Sequence, residues 1–342
     1  MTLRLRTTLA FLCTLSAIPE IIGAQSLDLL TPNHVGVSIG DSRRVTGLRI
    51  NFRDRRMEEV NGVNITVWQP YRENRGIVNG LALGVPMTGA QRITGIGAGI
   101  FGVAANESIH GLGIGGIGIG AGQDIEGIGI GGIGMGVGRD IHGIGIGGIG
   151  MGIGQDLTGI GIGGIGMGIG QNVRGGVIGG IGAGVGGNLV GLGIGGIGLG
   201  VGGNARGLLI TGIGAGVGGD MTGVSIAGVG MGVGGTLKYL SVAGIGIGAH
   251  RIEGLALASG IGAEQTRGLM VAPFYFKIMK YGRMKGASIS AYNDIRGTQQ
   301  GLAIGIFNYA RTLDGLQIGV LNYAANKRSA RLLPLFNYAR SR

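Results

Sequence analysis

Apolar side chains recur on a fixed beat through the middle of this chain. Gly95, Gly111, Gly127, Gly143, Gly159, Gly175, Gly191, Gly207 and Gly223 stand 16 residues apart. Each opens a unit like residues 127–142, which read GIGIGGIGMGVGRDIH. Apolar residues fall at unit positions 2 and 4, then 7, 9 and 11, then 15. A spacing of two within each run is the period of a strand. Helix is excluded, because glycine at alternate places would cost about 1 kcal/mol each against alanine. The alternation slips at Gly131-Gly132 and again across residues 139–142. A slip in a period-two pattern marks a corner or a bulge. The second slip has the form Gly-x-Asp/Asn-Ile/Leu-x-Gly, in which an Asx side chain bonds its own local backbone.

Each unit is therefore expected to be two short strands and two bends, one coil of an all-β solenoid. On this reading Ile128, Ile130, Ile133, Met135 and Val137 point inward and stack on their equivalents a coil away. The outward positions are then nearly all glycine. A sheet face of bare backbone is flat and admits another surface closely, so self-association through sheet faces is expected. The alternative is an outer-membrane β-barrel, with a bulged strand turning its isoleucines to lipid. Against it, a lumen lined by glycine lacks the polar interior of such barrels, and every turn is equally short.

The ends keep the beat at a shorter interval, as in Gly47 to Gly62 and Gly254 to Gly268. Residues 25–94 are expected to be N-terminal capping coils, 95–253 the regular body, and 254–342 C-terminal basic coils of one continuous domain. Arg49, Asn51, Arg53, Asn64 and Thr66 are the expected outward polar positions of the N-terminal cap. About 18 coils at ~4.8 Å give a rod of about 85 Å.

Residues 1–24 have the layout of a secretory signal peptide. Arg4 and Arg6 precede a short apolar run at 9–18, and Ile22-Gly23-Ala24 offers small residues before Gln25. The one cysteine, Cys13, lies inside this segment. A mature chain from Gln25 thus has neither disulfides nor thiolate chemistry. Localisation is expected at the cell surface or outer membrane, otherwise secreted or periplasmic. The chain has 342 residues, 83 of them glycine, and a formal charge of +11. The charge is uneven: net +3 over 25–94, −3 over 95–235 and +10 over 236–342. The C-terminal excess suits an anionic surface or membrane. Its densest stretch is 274–285, expected to be a lateral loop, where Lys277, Lys280, Arg283 and Lys285 are the candidates for an anionic partner.

The C-terminal units repeat a phrase. Residues 301–310, GLAIGIFNYA, recur at 315–324 as GLQIGVLNYA and more loosely at 335–339 as LFNYA. This resembles the bacterial surface repeat-containing proteins built from Gly-Leu-Gln-x-Gly-Leu-x-Asn units, a family of unknown function. The central block is richer in glycine and lacks the asparagine of that pattern. Gln317-x-Gly319-x-x-Asn322-x-Ala324 is also similar to the curlin repeat of bacterial amyloid fibres, which implies an amyloid-like fibre subunit as a further alternative. The chain otherwise looks poor in the Gln and Asn ladders of such fibres.

Motifs for chemistry are sparse. Gly127-x-Gly129-x-x-Gly132 matches a dinucleotide fingerprint but has no strand–helix context. His110 and His142 are two coils apart, too far to share a metal. Asp124, Asp140, Asp156, Asn172, Asn188, Asn204 and Asp220 form a ladder at one turn position. Its carboxylates Asp124, Asp140, Asp156 and Asp220 are the metal candidates, for calcium. The bland reading is a column of Asx turns. No serine–histidine pair is matched to an acid by spacing. The expectation is an exported structural or adhesion-type repeat protein without catalysis, without cofactor and without affinity for nucleic acid.

Overall fold

A computed structural model describes residues 26–69 and 75–340. The proposed signal peptide and Cys13 lie outside the described residues. The chain is an all-β solenoid of about 16 turns with a 16-residue period. In the body each turn is one strand such as Ile125–Gly131, a corner at Gly132-Ile133, a second strand Gly134–Val137, and a corner at 138–140. Ile125–Gly131 pairs in parallel with Ile141–Gly147, Gly127 opposite Gly143. Gly134–Val137 pairs in parallel with Gly150–Ile153. Every turn therefore lies on the next with one period of shift, and two sheets enclose the core between them.

Neighbouring strands are parallel from Val35–Ile39 through to the pairing of Tyr275–Ile289 with Tyr292–Ala324. Membrane barrels are built from antiparallel neighbours, so the barrel reading is not favoured. Both ends are closed by an antiparallel strand. Leu27–Leu30 lies on Val35–Ile39 at one end, and Leu332–Ala339 lies on Tyr292–Ala324 at the other. The last strand holds Pro334, which has no amide to offer a further strand.

The core differs from the expected one. Ile125, Met135 and Val137 are buried, as are their equivalents Ile141, Met151 and Ile153. Ile128 and Ile133 point outward, and Ile130 is half-buried on the same outer face. The expectation that Ile128, Ile130 and Ile133 line the core is corrected. The cause is simple. Ile141 and Ile144 lie three residues apart within one regular strand, Ile141–Gly147. An odd spacing in an unbroken strand puts the two side chains on opposite faces.

Inward-facing glycines on the longer strand make room for the large residues opposite. A Cβ on Gly161 would lie 2.9 Å from Leu157 Cδ2, Met151 Cε and Met167 Sδ alike. Where this inward position carries a large residue, the opposite one shrinks. Val177 stands in the turn with Ala183, and Leu209 in the turn with Ala215; all four are buried. Gly127 and its equivalents have a different reason. Its φ is +125°, and a Cβ there would sit 2.1 Å from the carbonyl oxygen of Gly111. Stacked copies of that conformation leave space only for hydrogen, although Tyr239 fills one rung at φ 82°.

The ends carry polar cores. Arg49 is fully buried. It donates to Asp41 at 3.0 Å, to Asn64 Oδ1 at 2.9 Å and to the Ser42 carbonyl at 3.0 Å, and forms an ion pair with Asp54. The expected outward placing of Arg49, Asn64 and Thr66 is corrected, since all three face inward and are buried. They occupy the inward positions that glycine holds in the body, and the space is filled by a hydrogen-bonded plug. At the other end Asn293, Asn308, Asn322 and Asn337 form a buried ladder. Asn293 Nδ2 donates to Asn308 Oδ1 at 2.7 Å, and Asn308 Nδ2 to Asn322 Oδ1 at 2.7 Å. Gln317 likewise donates to Gln299 at 3.0 Å. The asparagine of the C-terminal phrase is thus an internal fastening between turns, and the ladders thought scarce are present within one chain.

Candidate interaction faces

The solenoid presents two unlike sheet faces. On the outside of the longer strands, unit positions 2 and 4 form two straight columns of aliphatic side chains. Successive members pair in register, as Ile128 with Ile144 and Ile130 with Ile146, or Leu192 with Leu208 and Ile194 with Ile210. The columns start near Leu48 and Ile50 and reach Leu302 and Ile304. Leu316 and Ile318 continue them, since the adjoining Gly315 lies against Gly301. Exposure is high for such residues: 39% at Ile128 and 45% at Ile160. The corner residues Ile133, Ile149 and Ile165, each 50% exposed, form a third column beside them. Gly176 leaves one gap in the first column, between Ile160 and Leu192. Monomeric proteins rarely expose a continuous apolar patch of more than a few hundred Å².

On the outside of the shorter strands the body is bare backbone. A Cβ on Gly136, Gly152, Gly168 or Gly184 would meet nothing within 4 Å. The expected glycine face is real, but it belongs to one sheet only. In the C-terminal turns an aromatic column replaces it, with Tyr275, Tyr292 and Phe307 at centroid spacings of 5.5 and 5.3 Å. The Tyr275 hydroxyl donates to Asp294 at 3.0 Å. Burial, together with the Asp294 hydrogen bond and charge, pushes that phenol up to about 12.

Along the corner runs the Asx ladder. Asp156 N donates to Asp140 Oδ1 at 2.9 Å, Asn172 N to Asp156 Oδ1 at 2.8 Å, and Asn188 N to Asn172 Oδ1 at 3.0 Å. Each side chain therefore satisfies an amide of the next turn, where the sequence suggested its own. Asp124, Asp140 and Asp156 sit on successive turns, and Asp220 accepts from Thr236 N at 2.6 Å. One oxygen of each serves the backbone of the next turn, and the second oxygen of Asp124 accepts from Arg139 at 3.1 Å. Among the described residues no three His, Cys, Asp or Glu side chains converge as a metal would require.

One arrangement had no signal in the spacing. Ser108 Oγ lies 2.8 Å from His110 Nε2, and His110 Nδ1 lies 2.9 Å from Glu126 Oε2. Solenoid stacking brings Glu126 beside His110 from one period away. The order matches a nucleophile, a base and an orienting acid. The surroundings restrict it. Ser108 is 6% exposed, and the next amide, Ile109 N, is given to the Asp124 carbonyl at 3.0 Å. That amide is therefore not free to receive a developing oxyanion. Ser108 stands at the corner position that Asp124 holds one turn later.

The four basic candidates are spread over both sheets and the corner between them. Lys277 faces outward beside the buried Phe276 and Ile278 on one sheet, and Lys285 beside the buried Met284 on the other. Lys280 lies within the irregular stretch between Ile278 and Arg283, and Arg283 ends it, so only this part matches the expected lateral loop. There Lys280 and Arg311 lie 5.2 and 5.0 Å from the exposed ring of Tyr281. An apolar hollow of about 610 Å³, lined by Ile289, Ile304, Ile318 and Leu335 among others, ends the aliphatic columns. No family model, no curated protein and no solved structure matches this chain.

Proposed function

We propose that the chain is an exported structural or adhesion-type protein of the cell surface, related to the surface repeat-containing family its C-terminal phrase resembles, and that it acts through its sheet faces and not by catalysis. The observation that carries this reading is the aliphatic face. It runs the length of the solenoid with its aliphatic character kept from turn to turn, while in the body the inward position beneath it varies among glycine, valine, leucine and serine. A surface built by repetition suits contact with another extended surface. The bare glycine face offers a second plane of close approach, and the basic C-terminal turns suit an anionic surface beneath or beside the rod.

Localisation tests this reading. In the producing cell the mature protein is expected to begin at Gln25 and to be shaved from intact cells by external protease. A protein that retains Met1 and sits in the cytosol would overturn it.

A further inference from the structure

We infer that the aliphatic face is the interface of a homodimer, in which two solenoids lie face to face and antiparallel. The inference deepens the proposed role of the sheet faces and rests on it only for its biological setting. Size comes first. About 16 turns at ~4.8 Å give a face of about 77 Å, and two columns of side chains span about 11 Å. That is roughly 850 Å² per copy, against about 800 Å² per partner in a standard stable interface. Pitch comes second. The columns repeat at the spacing of stacked strands, and a second copy has the same spacing along its whole length.

The border of the face selects the orientation. The strand position before each ladder glycine also points outward and carries a mixed column: His110, Glu126, His142, Thr158, Arg174 and onward. A two-fold axis along the rod would lay this polar column over the partner's isoleucines and bury its charges unpaired. A two-fold axis along the strand direction lays aliphatic on aliphatic and polar on polar, with the rods antiparallel. It also holds the strongly basic C-terminal turns at opposite ends.

Gly176 selects the register. Placing the axis between the Gly176 and Leu192 turns drops Leu192 of each copy into the gap left by Gly176 of the other. Counted outward from that axis, Thr158 meets Arg206, His142 meets Thr222, Glu126 meets Lys238 and His110 meets Glu253. No like charges face each other along this column. Moving the axis onto the Gly176 turn would set Arg174 against itself. A lipid surface is a poorer match, because the border mixes Glu126 and Glu253 with its basic residues, whereas anionic headgroups favour a uniformly basic one.

Sedimentation velocity on the intact chain without detergent, across a concentration series, tests the dimer. The wild type is expected to sediment as a dimer. Ile128→Lys with Ile160→Lys is expected to give a monomer with an unchanged far-UV spectrum. Gly136→Lys with Gly168→Lys, on the opposite face, is expected to leave the dimer intact. Gly176→Ile extends the column in the single rod but fills the gap, and is expected to weaken association at least ~10-fold. Lys238→Glu is expected to weaken it as well, with Glu126→Lys added in the same chain restoring it. A wild type that stays monomeric at tens of micromolar overturns the inference. So does a dimer indifferent to the lysines on the aliphatic face, or a monomer that instead floats with phosphatidylcholine vesicles. A dimer found in the cytosol would sink the surface role and leave this interface standing.

Discussion

The packing between Gly161 and Met167 gives the sharpest test of how this core is built. Valine at 161 would start from a Cβ already 2.9 Å from three side chains and add two methyls beyond it. Overpacking of this kind costs about 1–3 kcal/mol. Met167→Ala alone empties a buried site and costs about 2–5 kcal/mol. If the two positions were independent, the double variant would lose about 3–8 kcal/mol. The chain contains its own answer one turn later, where Val177 and Ala183 share the same relation and both are buried. Gly161→Val with Met167→Ala reproduces that pair, with Leu157 kept where the later turn has Val173. Its cost is expected to fall below about 2 kcal/mol, a favourable coupling of at least about 1 kcal/mol. Guanidinium unfolding of the four proteins, with slopes compared so that only midpoints carry the difference, measures the cycle. Costs that add to within about 0.5 kcal/mol would refute the complementary packing of the two sheets.

Other outcomes follow from the same geometry. Gly127→Ala forces a Cβ onto the Gly111 carbonyl at positive φ and is expected to destabilise by more than 1 kcal/mol. Gly136→Ala, in open space, is expected to be neutral or to stabilise by about 0.5–1 kcal/mol; thermal melts of the pair compare them. Asn308→Ala removes the middle of the buried asparagine ladder and takes from Asn322 Oδ1 the amide that donates to it, with an expected loss of about 1–3 kcal/mol read by chemical denaturation. Fluorophosphonate, which labels activated serines, is expected to leave Ser108 unmodified by mass spectrometry; labelling that disappears in His110→Ala would overturn the non-catalytic reading. Tyr275 favours its neutral form in the fold and ionises near 12, against about 10 unfolded. Its contribution to stability is therefore full below about pH 10 and is lost as pH rises toward 12. Ultraviolet titration of the tyrosinate checks this, with Asp294→Asn moving the ionisation back toward 10.

Much of this fold was legible as sequence. The glycine beat, the period of two within each run and the Gly-x-Asx-x-x-Gly corners defined parallel stacked turns with two strands and two bends. These are local facts, because backbone conformation and turn chemistry depend on residues close in the chain. The direction of the side chains was also written there, though less plainly. Ile141 and Ile144 stand at an odd spacing, and the exchange of Gly and Met at 161 and 167 for Val and Ala at 177 and 183 marks two positions that share one space. That exchange was the available signal that glycine faces inward and isoleucine outward. Tertiary structure alone decided the rest. Which side of a strand is the core depends on where the second sheet lies, and Arg49 and Asn64 went inside because a polar plug could form around them there. Ser108, His110 and Glu126 met because stacking turns a separation of one period into a distance of one strand spacing. The aliphatic face likewise exists only once the turns are stacked, when isoleucines scattered along the sequence become straight columns with a pitch that another copy can match.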